Sequence, residues 1–196
     1  MTMESSGISV LILTRNEEAD LPACLESVRW SDDVHVFDSL STDRTAEIAR
    51  TAGALVTERA FDGYATHRNA ALTSLPFKNP WVLILDADER IPDVLHLEMV
   101  RAVAGNAGGC AAYRMHRRDY LDGVWLKHAQ ITPQYIRLVR PDRVRYEREV
   151  NEVLVVDGAV GQLEEAFDHF PFSKGLSHWI AKHNVYSTME AARWLE

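Results

Sequence analysis

The feature that most constrains this chain is a set of four short apolar runs, each followed by polar residues and then by a helical stripe. The runs are ISVLIL (8–13), VHVF (34–37), ALVTE (54–58) and WVLIL (81–85). ISVLIL and WVLIL are too apolar for a sheet with one wet face, so they predict strands buried on both faces, and VHVF and ALVTE predict two further strands. Between them, Leu21, Cys24, Leu25 and Val28 recur at i, i+3, i+4 and i+7 within 17–30, which predicts an amphipathic helix. A second helix is expected over 41–53, capped near Ser41 to Asp43 and stopped by Gly53. Residues 64–75 predict a third and 92–104 a fourth, with Pro92 in its first turn. This β-α-β-α rhythm predicts an α/β fold: a mostly parallel, Rossmann-like central sheet flanked by helices.

Such sheets bind ligands outside the carboxyl ends of their strands. The polar residues after each strand are therefore expected on one rim: Asn16 and Glu17, Asp38, Arg59, and Asp86 with Asp88. The fourth run is the most pointed, because Asp86, Asp88 and Glu89 follow a buried strand without a spacer. Hard cations such as Mg²⁺ or Mn²⁺ take oxygen ligands and commonly combine one or two carboxylates with substrate phosphates. The bland alternative is a solvated loop. Likewise Asp43 suits a helix cap, Asn16 and Glu17 a helix start, and Arg68 an exposed helix face.

The texture changes near 105–109. CAAYRMHRR (110–118), QYIRLVR (134–140) and EVLVV (152–156) predict shorter strands of a smaller mixed lobe. From Ser173 onward, Leu176, Trp179, Ile180, His183 and Ser187 mark a C-terminal amphipathic helix that is still helical at MEAARWLE, as if cut short. The 196 residues fit a single domain, divided at about 1–109, 110–172 and 173–196. A net charge of −8 and a pI of about 5.5 argue against a nucleic-acid partner. Within 111–150, however, nine Lys and Arg face five Asp and Glu. Cys24 and Cys110 stand far apart, which suits a reducing compartment better than a disulfide framework. With no leader and no apolar run near 18 residues, the expectation is a cytoplasmic protein, soluble or peripheral.

Three strand-end patterns carry a resemblance. Thr14-Arg15-Asn16-Glu17 ends the first strand; Asp38, Ser41, Asp43 and Thr45 follow the second; Asp86-Ala87-Asp88 follows the fourth. In this order and spacing the chain resembles the inverting family 2 glycosyltransferases of the GT-A fold. Ser39-Leu40 stands where that family often has Asp-Gly. GVWLKH (123–128), the Arg-Leu-Val-Arg of 137–140, Glu152, His169-Phe170 and KHNVYSTMEA (182–191) extend the likeness to a bacterial branch containing lipopolysaccharide-core β-glucosyltransferases. The branch usually has His before that Glu; here it is Asn151.

The resemblance implies a nucleotide-sugar donor, a uridine diphosphate sugar, bound by the first half, and a bacterial surface glycan or lipid-linked acceptor met by the second. Thr14, Asn16 and Glu17 would line the nucleotide, with Asp38 accepting from the base and Arg68 and Asn69 near the diphosphate. Asp88, with Asp86 and His169, would hold Mn²⁺ or Mg²⁺, and Trp125, Lys127 and His128 would serve the diphosphate or acceptor. Glu152 is the expected catalytic base, with Glu149 the next choice, since an acceptor hydroxyl must lose its proton during attack. Two rival readings stay open: a binding module that kept the fold without turnover, motivated by Asn151, and a haloacid-dehalogenase-like phosphatase. The latter wants its paired aspartates on the first strand. For the C-terminal helix, Lys174, Lys182 and Arg193 beside Trp179, Ile180 and Trp194 leave two uses open. It packs on the core, or it lies at the inner face of the cytoplasmic membrane.

Overall fold

The computed structural model describes residues 7–106, 109–128, 134–148 and 152–194. The chain runs β1 (Ile8–Thr14), α1 (Leu21–Ser27), β2 (Val34–Asp38), α2 (Thr45–Thr51), β3 (Leu55–Glu58), α3 (Tyr64–Ser74) and β4 (Trp81–Asp86). Next come β5 (Glu89–Arg90), α4 (Asp93–Ala104), β6 (Cys110–Leu121), β7 (Val124–Trp125) and β8 (Gln134–Val139). A short helical turn at Pro141–Arg143 leads to β9 (Val144–Glu147), β10 (Val153–Val156), β11 (Ala159–His169) and α5 (Leu176–Trp194).

Among the described residues nine strands form one sheet, in the order β3-β2-β1-β4-β8-β6-β11-β5 with β7 paired to β6. The four strands of the first half are parallel; β1, β2 and β4 are largely buried, whereas β3 is a mostly exposed edge strand with Leu55 51% accessible. β8 is antiparallel to both β4 and β6, and β11 runs parallel to β6. The second half thus widens the same sheet and adds a separate β9–β10 ribbon.

Successive residues of a strand face opposite sides, and the core divides accordingly. Ile8, Val10, Ile12, Leu83 and Leu85 pack with α1 and α4 on one face, whereas Leu11, Val82 and Ile84 pack with α3 and Tyr146 on the other. From β1 the chain winds outward to β3, then returns to β4 on the other side of β1. That reversal opens a crevice at the carboxyl ends of β1 and β4. Register puts Thr14 opposite Asp38 and Leu13 opposite Asp86. With neighbouring strands about 4.8 Å apart, the Asp38 and Asp86 backbones stand about 10 Å from each other on one edge.

Three elements depart from the sequence expectation. α1 begins only at Leu21, because Asn16 takes a left-handed backbone (φ 55°) and Pro22 sets the first helical turn. α2 begins at Thr45, because Ser41 and Asp43 are occupied in the preceding loop. Ser41 donates to Asp38, and Asp43 accepts the backbone N–H groups of Thr45 (3.0 Å) and Glu18 (3.2 Å). β11 is a long strand with no apolar signature. Its register shifts between Gln162 and Ala166, where Glu98 accepts the N–H groups of Glu164 and Glu165, each at 2.9 Å. Gly161 is required there, since a Cβ would sit 2.5 Å from the Tyr113 ring.

Leu40 occupies the turn after β2 with φ 56° and is 55% exposed. The left-handed region costs an ordinary L-residue about 1–2 kcal/mol, against roughly 0.5–1 kcal/mol of extra backbone entropy lost by glycine. Leu40→Gly is therefore expected to raise the unfolding free energy by about 0.5–1 kcal/mol in urea denaturation, and Leu40→Val to lower it.

Candidate active site

A cleft of about 790 Å³ lies at the carboxyl edge of the sheet. Thr14, Asn16 and Glu17 line it from the end of β1, and Asp86, Ala87 and Asp88 from the end of β4. α3 contributes Tyr64, His67 and Arg68; Glu152 joins them; Lys182 and Tyr186 come from α5. A second groove of about 660 Å³ between α1 and α2 holds none of these strand-end residues.

The floor is a charge network. Asp86 Oδ1 accepts from Arg68 Nη2 and Asp86 Oδ2 from Arg137 Nη2, both at 3.1 Å. Arg68 Nε also lies 2.9 Å from Glu152 Oε1, so one guanidinium joins the two carboxylates. Arg137 in turn pairs with the fully buried Glu89, whose Oε2 accepts the Asp86 backbone N–H at 3.0 Å. Burial alone would raise the Asp86 pKa, but Arg68 and Arg137 beside it hold the carboxyl well below the usual range. Glu89 and Arg137 therefore fix the strand end that carries Asp86. An Arg inside the apolar run YIRLV was the available signal for Arg137, since a buried guanidinium demands carboxylate partners.

Asp88 faces a histidine that arrives from the far end of the chain. His169 Nε2 lies 3.4 Å from Asp88 Oδ2, and His169 Nδ1 lies 2.7 Å from Asp119 Oδ1. A carboxylate behind one ring nitrogen, leaving the other for a ligand, is how metal-binding histidines are commonly oriented. No third His, Cys, Asp or Glu completes an all-protein metal cluster among the described residues. One carboxylate and one imidazole fit a cation that takes its remaining ligands from phosphate and water, and the imidazole suits Mn²⁺ better than Mg²⁺. Burial disfavours the imidazolium, but hydrogen bonds to Asp119 and Asp88 outweigh it and push the His169 pKa up to about 9.

The nucleotide-side candidates separate into two groups. Asn16 and Glu17 line the cleft, where Lys174 Nζ lies 2.8 Å from both Glu17 Oε1 and the Asn16 carbonyl. Burial nevertheless leaves the Glu17 carboxyl above its usual range. Asp38 is only 1% exposed and does not line the cleft. Its oxygens accept from Thr14 Oγ1 (2.7 Å), Ser41 N (2.7 Å) and Ser41 Oγ (2.6 Å), so it holds the turn behind the nucleotide side. Asn69 is likewise outside the lining: its amide brackets the Tyr146 backbone with two 2.8 Å hydrogen bonds. Trp125, Lys127 and His128 are on or just after the β6–β7 hairpin, away from the cleft lining. The Trp125 ring is 42% exposed, with Lys127 Nζ 5.3 Å from its centroid. Glu149 and Asn151 lie outside the described residues.

Residues 9–169 match the family described as glycosyl transferase family 2. The lipopolysaccharide core biosynthesis glycosyltransferase LpsC of Rhizobium meliloti (strain 1021) is 31% identical over 199 residues, covering 96% of this chain and 72% of LpsC. An uncharacterised glycosyltransferase of Rickettsia bellii (strain RML369-C) is 30% identical over 201 residues, covering 94% of this chain and 66% of that protein. Among solved structures, glucosyl-3-phosphoglycerate synthase from Mycobacterium tuberculosis superposes with a TM-score of 0.56 at 16% identity, over 83% of this chain and 71% of that one. S. aureus TarS 1-349 gives 0.57 at 16% identity, over 84% and 60%. These two structural likenesses bear on the fold alone.

The His169 arrangement fixes a pH dependence of the metal-free protein. A folded-state pKa of about 9 exceeds the unfolded value, so the stabilisation is complete below about pH 6.5 and is lost as pH rises through 9. Chemical denaturation between pH 6.5 and 9.5 should show a loss of up to about 3 kcal/mol. His169→Gln should flatten that slope. Arg137→Met strands the Glu89 carboxylate and is expected to cost about 3–5 kcal/mol, part of which Glu89→Gln restores in the double variant.

Proposed function

The chain belongs to glycosyl transferase family 2 and has a GT-A-type fold, and we propose that it is a metal-dependent, inverting transferase. Its donor is a uridine diphosphate sugar, and its acceptor is a hydroxyl of a bacterial surface glycan or lipid-linked precursor. One observation carries this reading: Asp88, which His169 Nε2 approaches to 3.4 Å, and the paired Arg68 and Glu152 line a single cleft at the switch point of the sheet. The printed descriptions of relatives agree. The Mycobacterium tuberculosis synthase was crystallised with Mn²⁺, uridine diphosphate and glucosyl-3-phosphoglycerate, and also with Mg²⁺ and uridine diphosphate. LpsC is named for lipopolysaccharide core biosynthesis.

Each residue then takes a role that its chemistry permits. Thr14, Asn16 and Glu17 hold the nucleoside, with Glu17 toward the ribose and Asp38 setting the turn behind them. Asp88 and His169, with Asp86 nearby, would hold a divalent cation, which supplies Lewis-acid neutralisation of the departing diphosphate. Arg68 adds fixed positive charge on the same side. Glu152 takes the proton of the acceptor hydroxyl as it attacks the anomeric carbon, and Glu149 is the alternative base. Direct displacement from the face opposite the diphosphate inverts the anomeric centre. Trp125, Lys127 and His128 present an aromatic and basic surface on the acceptor side.

The test is release of free nucleotide from a panel of nucleotide sugars with Mn²⁺ and an acceptor extract. Asp88→Ala is expected to lower metal-dependent release by about a thousandfold. Glu152→Gln should keep nucleotide affinity while transfer falls by about 10²–10⁴-fold. Undiminished transfer in the Glu152 variant would remove it as the base.

A further inference from the structure

The run KHNVYSTMEA at 182–191 lies in α5 and has no part in the mechanism above. α5 is an exposed helix: Ile180 on its outer side is 60% accessible. Its other side forms a wall of the cleft through His178, Ala181, Lys182, Val185 and Tyr186, the i, i+3, i+4, i+7, i+8 spacing of one helical face. The helix meets α3 through the Tyr186 and Tyr64 rings, with centroids 5.8 Å apart, and the preceding turn through Trp179 against Phe172, with ring centroids 5.5 Å apart.

Lys182 differs from most other cations of this cleft. Arg68 is paired with Asp86 and Glu152, and Lys174 with Glu17. Lys182 Nζ instead stands 5.8 Å from the centroid of the Tyr186 ring, with no carboxylate in ion-pair reach among the described residues. Its charge is nonetheless felt by both Asp86 and Asp88, and helps to lower their pKa values. Lys182 is exposed and lines the same cleft as Asp86 and Asp88, at the strand end where a diphosphate would meet the β4 aspartates. A lysine in that position offers a mobile point charge with three donors, which suits phosphate oxygens of variable geometry.

We propose that Lys182 is a diphosphate-binding residue, and that its contact with the donor draws α5 down over the cleft. This rests on the nucleoside-diphosphate reading of the site. It makes α5 part of the donor site, and it gives the Lys-x-Asn-x-Tyr run a ligand: Lys182 for the phosphates and Tyr186 as the tie to α3.

Titration calorimetry of uridine diphosphate and uridine, each with Mn²⁺ and with EDTA, tests this on the whole chain. Lys182→Ala should weaken uridine diphosphate binding about tenfold, the size of one charge-assisted hydrogen bond. Uridine binding should be unchanged, Lys182→Arg should keep most of the diphosphate affinity, and the loss should persist in EDTA. Hydrogen exchange supplies the second readout: uridine diphosphate slows exchange of the α5 amides in the wild type and not in Lys182→Ala. Equal diphosphate affinity in wild type and Lys182→Ala overturns the proposal, as does an equal loss for uridine. Wild-type protein that binds no uridine, guanosine or thymidine diphosphate overturns the reading of the cleft itself, which is a different result.

Discussion

The buried charges at the end of β4 set the terms for the rest of the molecule. Removing an ion from water costs several kcal/mol, and the cost is offset only when every member finds a partner in good geometry. Asp86, Glu89, Arg68 and Arg137 meet that condition jointly: each guanidinium touches Asp86, and Arg137 also holds Glu89. These four residues come from β4, β5, α3 and β8. No one of those elements can shift without stranding a charge, so the network fixes β8 beside β4 and α3 above them. In this way residues far apart in the chain are held to one strand end.

The same economy separates residues that hold the site from residues that face it. Asp38, Glu89, Asp119 and Asn69 have polar groups committed within the protein, to a turn, a strand end, a histidine and a ribbon backbone respectively. Glu17, Asp88 and Glu152 line open space, as does Asn16, whose Oδ1 also accepts the Thr42 N–H at 2.8 Å. Both groups contain acidic residues at strand ends, so spacing alone cannot sort them. Burial does. A carboxylate whose oxygens are already filled by protein donors has little left for a ligand, whatever motif it belongs to.

This distinction marks how much was legible in the residues. The three buried strands β1, β2 and β4, the exposed edge strand β3, and α3 and α4 were readable because short apolar runs and helical stripes are local signatures. The start of α1 was misread because Asn16 and Glu17 resemble helix-start residues, whereas the left-handed Asn16 delays the helix to Leu21. β11 went unread because Gly161 and the Glu164–Glu165 pair interrupt its pattern. These residues answer to Tyr113 and Glu98, contacts of separation far beyond any local window. The partnership of Asp119 with His169, 50 positions apart, has the same character. Asp86 and Asp88 were conspicuous in the sequence, and Arg137 was signalled only by its place in an apolar run, but Asp119, which orients His169, became visible only in the folded chain.

Stability is distributed unevenly around the cleft. Its floor is made by strand ends sunk in two apolar cores and locked by paired charges, the kind of region that opens only with global unfolding. Its α5 wall is an exposed helix held by a tyrosine pair and a ring contact at the cleft end and by Arg148 Nη2, 3.9 Å from Glu190 Oε1, farther along. On the proposed reading, a donor that must enter, react out of water and leave as a diphosphate is served by such a division. The reacting geometry demands fixed groups, because a displacement of about 1 Å costs about a hundredfold in rate. Exclusion of water demands a wall able to move at little energetic cost. Fixed positive charge on the floor and a movable lysine on α5 satisfy both demands with the same cleft.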